Sequence, residues 1–153
     1  MSVEQMTQAA TDVVEARAVS SRAAWNEQHT LIYTYTTFQV TQVLKGARAQ
    51  EINVKQPGGT AGGYTQKVSG VHHAQIGEEA LLFLRPSAAG DGTHVVVGLV
   101  QGNFRMIRAI DGSAMVTNGI SGARALQGGV VSEFTGSPMK LREAEARIRR
   151  SAR

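Results

Sequence analysis

The residues of this chain that carry reactive or ligating groups are few, and they do not assemble into a familiar set. His72 and His73 are adjacent, with His94 and His29 further along the chain in either direction, and imidazole is a common ligand for metal ions. Neighbouring residues on a strand point to opposite faces, so this pair shares one ion only from a kinked loop, and no acidic cluster accompanies it. The plainer reading is an exposed loop pair, and no metal is expected. Ser69-Gly70 stands close to His72, but it lacks both the G-x-S-x-G setting and the orienting acid that a serine nucleophile needs. Glu78-Glu79 precedes an apolar run and reads as a solvated strand edge rather than a general acid and base pair. The glycines between Pro57 and Gly63 resemble a phosphate loop only in composition. Such a loop needs Gly-Lys-Ser/Thr opening a helix, whereas Gly63 is followed by Tyr64-Thr65-Gln66. The expectation is therefore a protein that is not an enzyme, with no catalytic residue and no cofactor.

What remains is aromatic. Tyr64 lies in the glycine-rich stretch, where Gly58, Gly59, Gly62 and Gly63 leave little side-chain bulk around it. Tyrosine brings a large apolar face and a hydroxyl at modest entropic cost, which is why it recurs at binding hot spots. Tyr33 and Tyr35 sit two residues apart in a run of β-forming residues, so they share one face of a strand. Tyr64, Tyr33 and Tyr35 are the candidate partner contacts.

The element that positions the last two is Thr30 to Gly46, T-L-I-Y-T-Y-T-T-F-Q-V-T-Q-V-L-K-G. Its β-branched and aromatic residues lose side-chain freedom in a helix, and it has no 3.6-residue apolar stripe. The period-2 pattern puts Ile32, Thr34, Thr36, Phe38 and Val40 on one side, with Phe38 and Val40 in the core. Tyr33, Tyr35, Thr37, Gln39 and Thr41 fall on a wetter side. The phase slips at Val43-Leu44, where a bulge would bend the strand and keep both partly buried.

Around this central strand the chain reads in order. Ser2 and Gln5 have capping-box spacing for a helix from about Val3 to Ala10. Val13 to Val19 predicts a first strand, and Ser20 to His29 a turn with Trp25 at a rim. Glu51 to Gln56 is a third strand, Pro57 to Gly70 an extended loop or interrupted β-segment, and Glu79 to Arg85 a mostly apolar strand stopped by Pro86. Val95 to Val100 and Phe104 to Ala109 follow as strands, and Val116 closes the last one. The span 13–116 is expected to form the barrel core, 117–136 a glycine-rich arm or loop, and 137–151 a helix with Ser137 as N-cap and Leu141, Ala144 and Ile148 on its inner face. The fold expected is mainly all-β, a small OB-like barrel of five to seven strands with a helix at each end, in one domain.

Composition narrows the partners. The chain has 153 residues, no cysteine, and 16 Lys and Arg against 12 Asp and Glu, for a net charge of +4. Lys140 to Arg153 holds Lys140, Arg142, Arg147, Arg149, Arg150 and Arg153 against Glu143 and Glu145. That segment carries the whole excess, so the barrel region is near neutral. Without cysteine there is neither a disulfide framework nor a thiolate metal site. No run has the length of a membrane span, and no signal peptide is recognisable in the first dozen residues, though a mature exported chain with a replacement initiator would look the same. OB barrels often bind single-stranded nucleic acid through stacking aromatics and basic grooves. Tyr33 and Tyr35 are suitably placed for that, but Lys and Arg around them are scarce. The favoured expectation is a module that binds a protein partner or copies of itself, with a single-stranded nucleic-acid binder as the alternative.

The series Ile32-Tyr33-Thr34-Tyr35-Thr36-Thr37-Phe38-Gln39-Val40, Val43-Leu44-Lys45-Gly46, Gln56-Pro57-Gly58-Gly59, Gly77-Glu78-Glu79-Ala80-Leu81-Leu82-Phe83-Leu84 and Val97-Gly98-Leu99-Val100-Gln101-Gly102 resembles a family of uncharacterised bacterial domains from exported proteins. Those look distantly like netrin and tissue-inhibitor-of-metalloproteinase barrels of OB type. The resemblance covers about residues 13 to 108 and implies a periplasmic or secreted location. Metalloproteinase inhibitors of that kind set an N-terminal cysteine on the catalytic zinc, whereas this chain begins Met1-Ser2 and has no cysteine. That mechanism is not carried over.

Overall fold

The structure, a computed structural model, describes residues 1–119 and 138–153. Helix α1 (Val3–Ala9) starts at a complete capping box, in which the Ser2 hydroxyl accepts from the Gln5 amide and the Gln5 side chain accepts from the Ser2 amide. Strand β1 (Asp12–Trp25) then pairs antiparallel with β2 (Ile32–Lys45), and β2 pairs with β3 (Glu51–Pro57). The glycine-rich stretch forms a small hairpin of β4 (Gly59–Ala61) and β5 (Tyr64–Gln66). Next come β6 (Glu79–Pro86), β7 (His94–Val96), β8 (Asn103–Arg108), β9 (Ala114–Thr117), β10 (Met139–Lys140) and helix α2 (Leu141–Ser151).

Five strands close on themselves in the order β1-β2-β3-β7-β6 and back to β1. All contacts around the ring are antiparallel except β3 with β7, which meet parallel at Val54 and His94. This is the OB-like barrel that the sequence predicts. Strands β8, β9 and β10 extend the sheet beyond β6 as a flap. Among the described residues, no helix is long and apolar enough to cross a membrane.

Two apolar cores share the walls of β1 and β6. Inside the barrel, Val14, Ala16, Ala18, Phe38, Ile52, Val54, Ala80, Leu82, Leu84 and Val96 pack together. Outside it, Val13, Leu81, Phe83, Phe104 and Val116 meet Val3 and Met6 of α1 and Leu141, Ala144 and Ile148 of α2. The alternate residues of β6 serve the two cores in turn, so the strand is covered on both faces and reads as a continuous apolar run instead of an alternating one.

The facing assigned to β2 holds, with Ile32, Thr34, Thr36 and Phe38 buried and Val40 partly buried against the barrel core. The predicted bulge is present. Val13 pairs with Lys45 and Val14 with Val43, which leaves Leu44 as the extra residue. Val43 consequently joins the barrel core and Leu44 the helix-side core. A second shift, from Glu15-Gln42 to Ala16-Val40, leaves Thr41 extra.

Three expected boundaries need correction. The first strand does not stop at Val19 but continues to Trp25, since Ser20 to Trp25 pair with Thr37 to Ile32 after a bulge at Val19. The span Val95 to Val100 yields only the short β7, because Gly98 and Leu99 take positive φ angles of 69° and 67° and turn the chain. Helix α2 begins at Leu141 rather than in the first turn after Ser137, because the backbone of Met139 and Lys140 pairs with Val116 and Met115 of β9. Ser137 and the 120–136 portion of the expected arm lie outside the described residues.

Candidate protein-binding face

On the outer surface of the later half of β1, the first half of β2 and β3, register sets the side chains in rows. Arg22, Tyr35 and Lys55 are cross-strand partners in one row, and Ala24, Tyr33 and Pro57 in the next. The Arg22 guanidinium lies 4.4 Å from the centre of the Tyr35 ring, and the Lys55 ammonium 4.4 Å from that of Tyr33. Cations at this distance are attracted by the ring quadrupole. The expected scarcity of Lys and Arg around these tyrosines is thus corrected. Arg22 and Lys55 are remote in sequence and come together with them only through strand pairing.

Above these rows, at the end of the β1–β2 hairpin, sits an aromatic rim. Asn26 organises the turn: its Oδ1 accepts from the amides of Thr30 (2.8 Å) and Leu31 (3.1 Å), and its Nδ2 donates to the Thr30 hydroxyl at 2.9 Å. The turn holds His29 at φ 57°, with its ring 5.1 Å from that of Trp25. Tyr64 meets Trp25 from the other hairpin, edge-on, at 5.7 Å and 72°. This edge-to-face geometry is the favoured one for ring quadrupoles.

The β4–β5 hairpin reaches Trp25 because it lies across the barrel mouth. Gly58 donates its amide to the Ile32 carbonyl, the Thr34 hydroxyl donates to the Gly58 carbonyl at 2.8 Å, and Gln66 Oε1 accepts from the Ile32 amide at 2.7 Å. Gly59 permits this approach, since a Cβ there would lie 2.4 Å from Thr34 Oγ1 with φ at 132°. Gly62, at φ 57°, passes so close to the indole that its Cβ would sit 3.5 Å from Trp25 Nε1. The hairpin caps the barrel through its backbone and Gln66, while Tyr64 itself stays 65% exposed. The Trp25 indole is half-buried.

The other residues singled out by sequence are engaged separately. His72 Nε2 is 2.6 Å from Glu78 Oε2, His73 Nε2 is 3.0 Å from the Pro57 carbonyl, and His94 Nε2 is 3.4 Å from Asp12 Oδ2. No group of three metal-ligating side chains gathers among the described residues. Glu79 accepts a two-pronged bond from Arg108, at 2.9 and 3.0 Å, which lowers its carboxyl below the usual range. At the arginine-rich end, Arg147 grips Glu4 of α1 at 2.7 and 2.6 Å.

No family model matches this chain, and no curated protein does.

Proposed function

We propose that this chain is a protein-binding module without catalytic activity, contacting its partner, or a second copy of itself, through the Trp25–His29–Tyr64 rim and the adjoining Tyr33–Tyr35 face. The observation that carries the reading is Tyr64. A large aromatic side chain stands mostly in solvent, braced against a tryptophan, where two glycines remove competing bulk. An exposed tyrosine braced edge-on against a half-buried tryptophan has the composition of a hot spot. Placement outside the cytoplasm is supported by the resemblance to exported bacterial domains and is part of the proposal.

One observation favours the alternative of single-stranded nucleic acid, namely the two cations drawn onto Tyr33 and Tyr35. Charge weighs against it. Each phosphate neutralised needs a cation, yet the chain outside Lys140 to Arg153 is balanced, with ten Lys and Arg against ten Asp and Glu. The cations also lie where a base would stack. A protein partner needs no such excess.

The test is Tyr64→Ala, with the melting temperature and the association constant measured on the same protein. Sedimentation reads self-association, and immobilised wild type and variant are compared for retention of proteins from the source cell. Association is expected to weaken by about 2 kcal/mol, with the melting temperature nearly unchanged because the ring is exposed. Unchanged association in both formats removes this rim from the interface. Binding of mixed oligonucleotides that falls steeply with salt, and is lost on changing Tyr33 and Tyr35 to Ala, would establish the alternative instead.

A further inference from the structure

A second site lies away from the aromatic rim. The loop before β6, the end of β3, the start of β8 and the residues after β9 line an open cavity of about 250 Å³, where Gln56, His72, Asn103, Arg105 and Asn118 supply the polar side chains. Its polar groups are fixed by the backbone. Gln56 Nε2 and Asn103 Nδ2 both donate to the His72 carbonyl, at 3.0 and 3.1 Å. Asn118 Nδ2 donates to the Gln101 carbonyl at 2.7 Å. Arg105 Nη2 donates to the Gly119 carbonyl at 3.1 Å. Gln56 is only 4% exposed, so its amide is a built part of the wall and not a surface side chain resting there.

The inventory of what these bonds leave over defines the ligand. Each of the three amides uses an N–H on a main-chain carbonyl, which turns its own carbonyl oxygen into the group left to accept. Among the described residues, Arg105 engages one of its five N–H donors, and no carboxylate lies within ion-pair distance of it. The cavity thus offers one full positive charge together with several neutral acceptors. A phosphate dianion suits it poorly, because a single cation would face two negative charges among carbonyl oxygens, with the Glu78 carboxylate held close by on His72. A singly charged carboxylate with N–H groups beside it satisfies both halves.

We propose that this cavity binds a carboxylate flanked by amide N–H groups, the chemistry of the free C-terminal end of a peptide, with the carboxylate on Arg105 and the N–H groups on the amides of Gln56, Asn103 and Asn118. The volume is that of about eight liquid waters, room for about one or two residues of the chain end, with the rest of the chain leaving through the open side. Arginine favours this role because its planar fork matches a carboxylate in two-pronged geometry.

The experiment is calorimetric titration of the full chain with N-acetyl-alanyl-alanine, with the same peptide ending in an amide, and with acetate. The acid is expected to bind, and the amide and Arg105→Gln each to weaken binding by about tenfold or more, the usual scale for losing a charged hydrogen bond. Acetate is expected to bind more weakly than the acid because it lacks the N–H groups. No heat from the acid at millimolar concentration, or equal binding of acid and amide, overturns the proposal. Acetate binding as tightly as the acid overturns the peptide-end assignment. If circular dichroism shows Arg105→Gln unfolded, the acid and amide comparison on the wild type still decides. Tyr64→Ala should leave the titration unchanged, so failure here and failure of the aromatic rim are read separately.

Discussion

Phe38 and Gln39 are neighbours in sequence and belong to opposite environments. Phe38 is 2% exposed within the barrel, whereas Gln39 is exposed on the outer face. Phe38→Ala should therefore destabilise the domain by about 3–5 kcal/mol, and Gln39→Ala should be nearly silent; chemical denaturation of the two variants checks the order. Asn26 makes a subtler case, because nothing in the pattern around it marks it out. Its side chain satisfies two backbone amides and a hydroxyl in the turn that carries His29. Asn26→Ala should cost about 1–2 kcal/mol in thermal or denaturant unfolding. It should also change the environment of Trp25, read as a shift in its fluorescence.

At the scale of elements, the two helices are held to the barrel by opposite electrostatic arrangements. Between α1 and α2, the Arg147 guanidinium on Glu4 lowers that carboxyl from the ordinary 4.5 to about 2. Lys45 at the end of β2 donates to the Thr7 and Ala10 carbonyls, both at 2.7 Å, and so satisfies the C-terminal end of α1. Between α2 and β1, burial and the adjacent Glu145 carboxyl push Glu15 up to about 8, against the pull of Arg149 and Arg108. Glu15 is 6% exposed, and its Oε2 has no hydrogen-bond partner among the described residues. The folded state therefore holds a proton on Glu15 that the unfolded chain releases near pH 4.5. Stability from this group is complete below about pH 4.5 and is lost as pH rises toward about 8. Glu4 has the reverse sign: its contribution is present above about pH 4.5 and is lost as pH falls toward about 2. The expected result is a melting temperature that declines between about pH 4.5 and pH 8 in the wild type and declines less in Glu15→Gln. A melting profile of Glu15→Gln that parallels the wild type would show that Glu15 is ionised throughout.

At the scale of the whole molecule, β1 and β6 belong to the barrel core and the helix-side core at once, so the two cannot unfold independently. Ile148 on α2 is fully buried, and Ile148→Ala should cost about 2–5 kcal/mol. The loss should appear as one transition, with far-ultraviolet circular dichroism and Trp25 fluorescence coincident although Trp25 is on the far rim. Separate transitions would show that the helices form a layer of their own. Removing Lys140 to Arg153 would take away six cations and would also strip Leu141, Ala144 and Ile148 from the core. By itself the sequence determined the strand character of Ile32 to Lys45, its buried face, the bulge at Leu44, the capping box of α1 and the inner face of α2. Each of these is written in local periodicity or in side-chain chemistry three or four residues apart. Only the tertiary structure decided that Arg22 and Lys55 lie on the tyrosine rings, that Tyr64 meets Trp25, that Glu15 faces Glu145 and that Arg105 shares a cavity with Gln56. Those juxtapositions depend on strand register and on the closure of the barrel, which join residues distant in the chain, and no local pattern encodes which distant partner a side chain will meet.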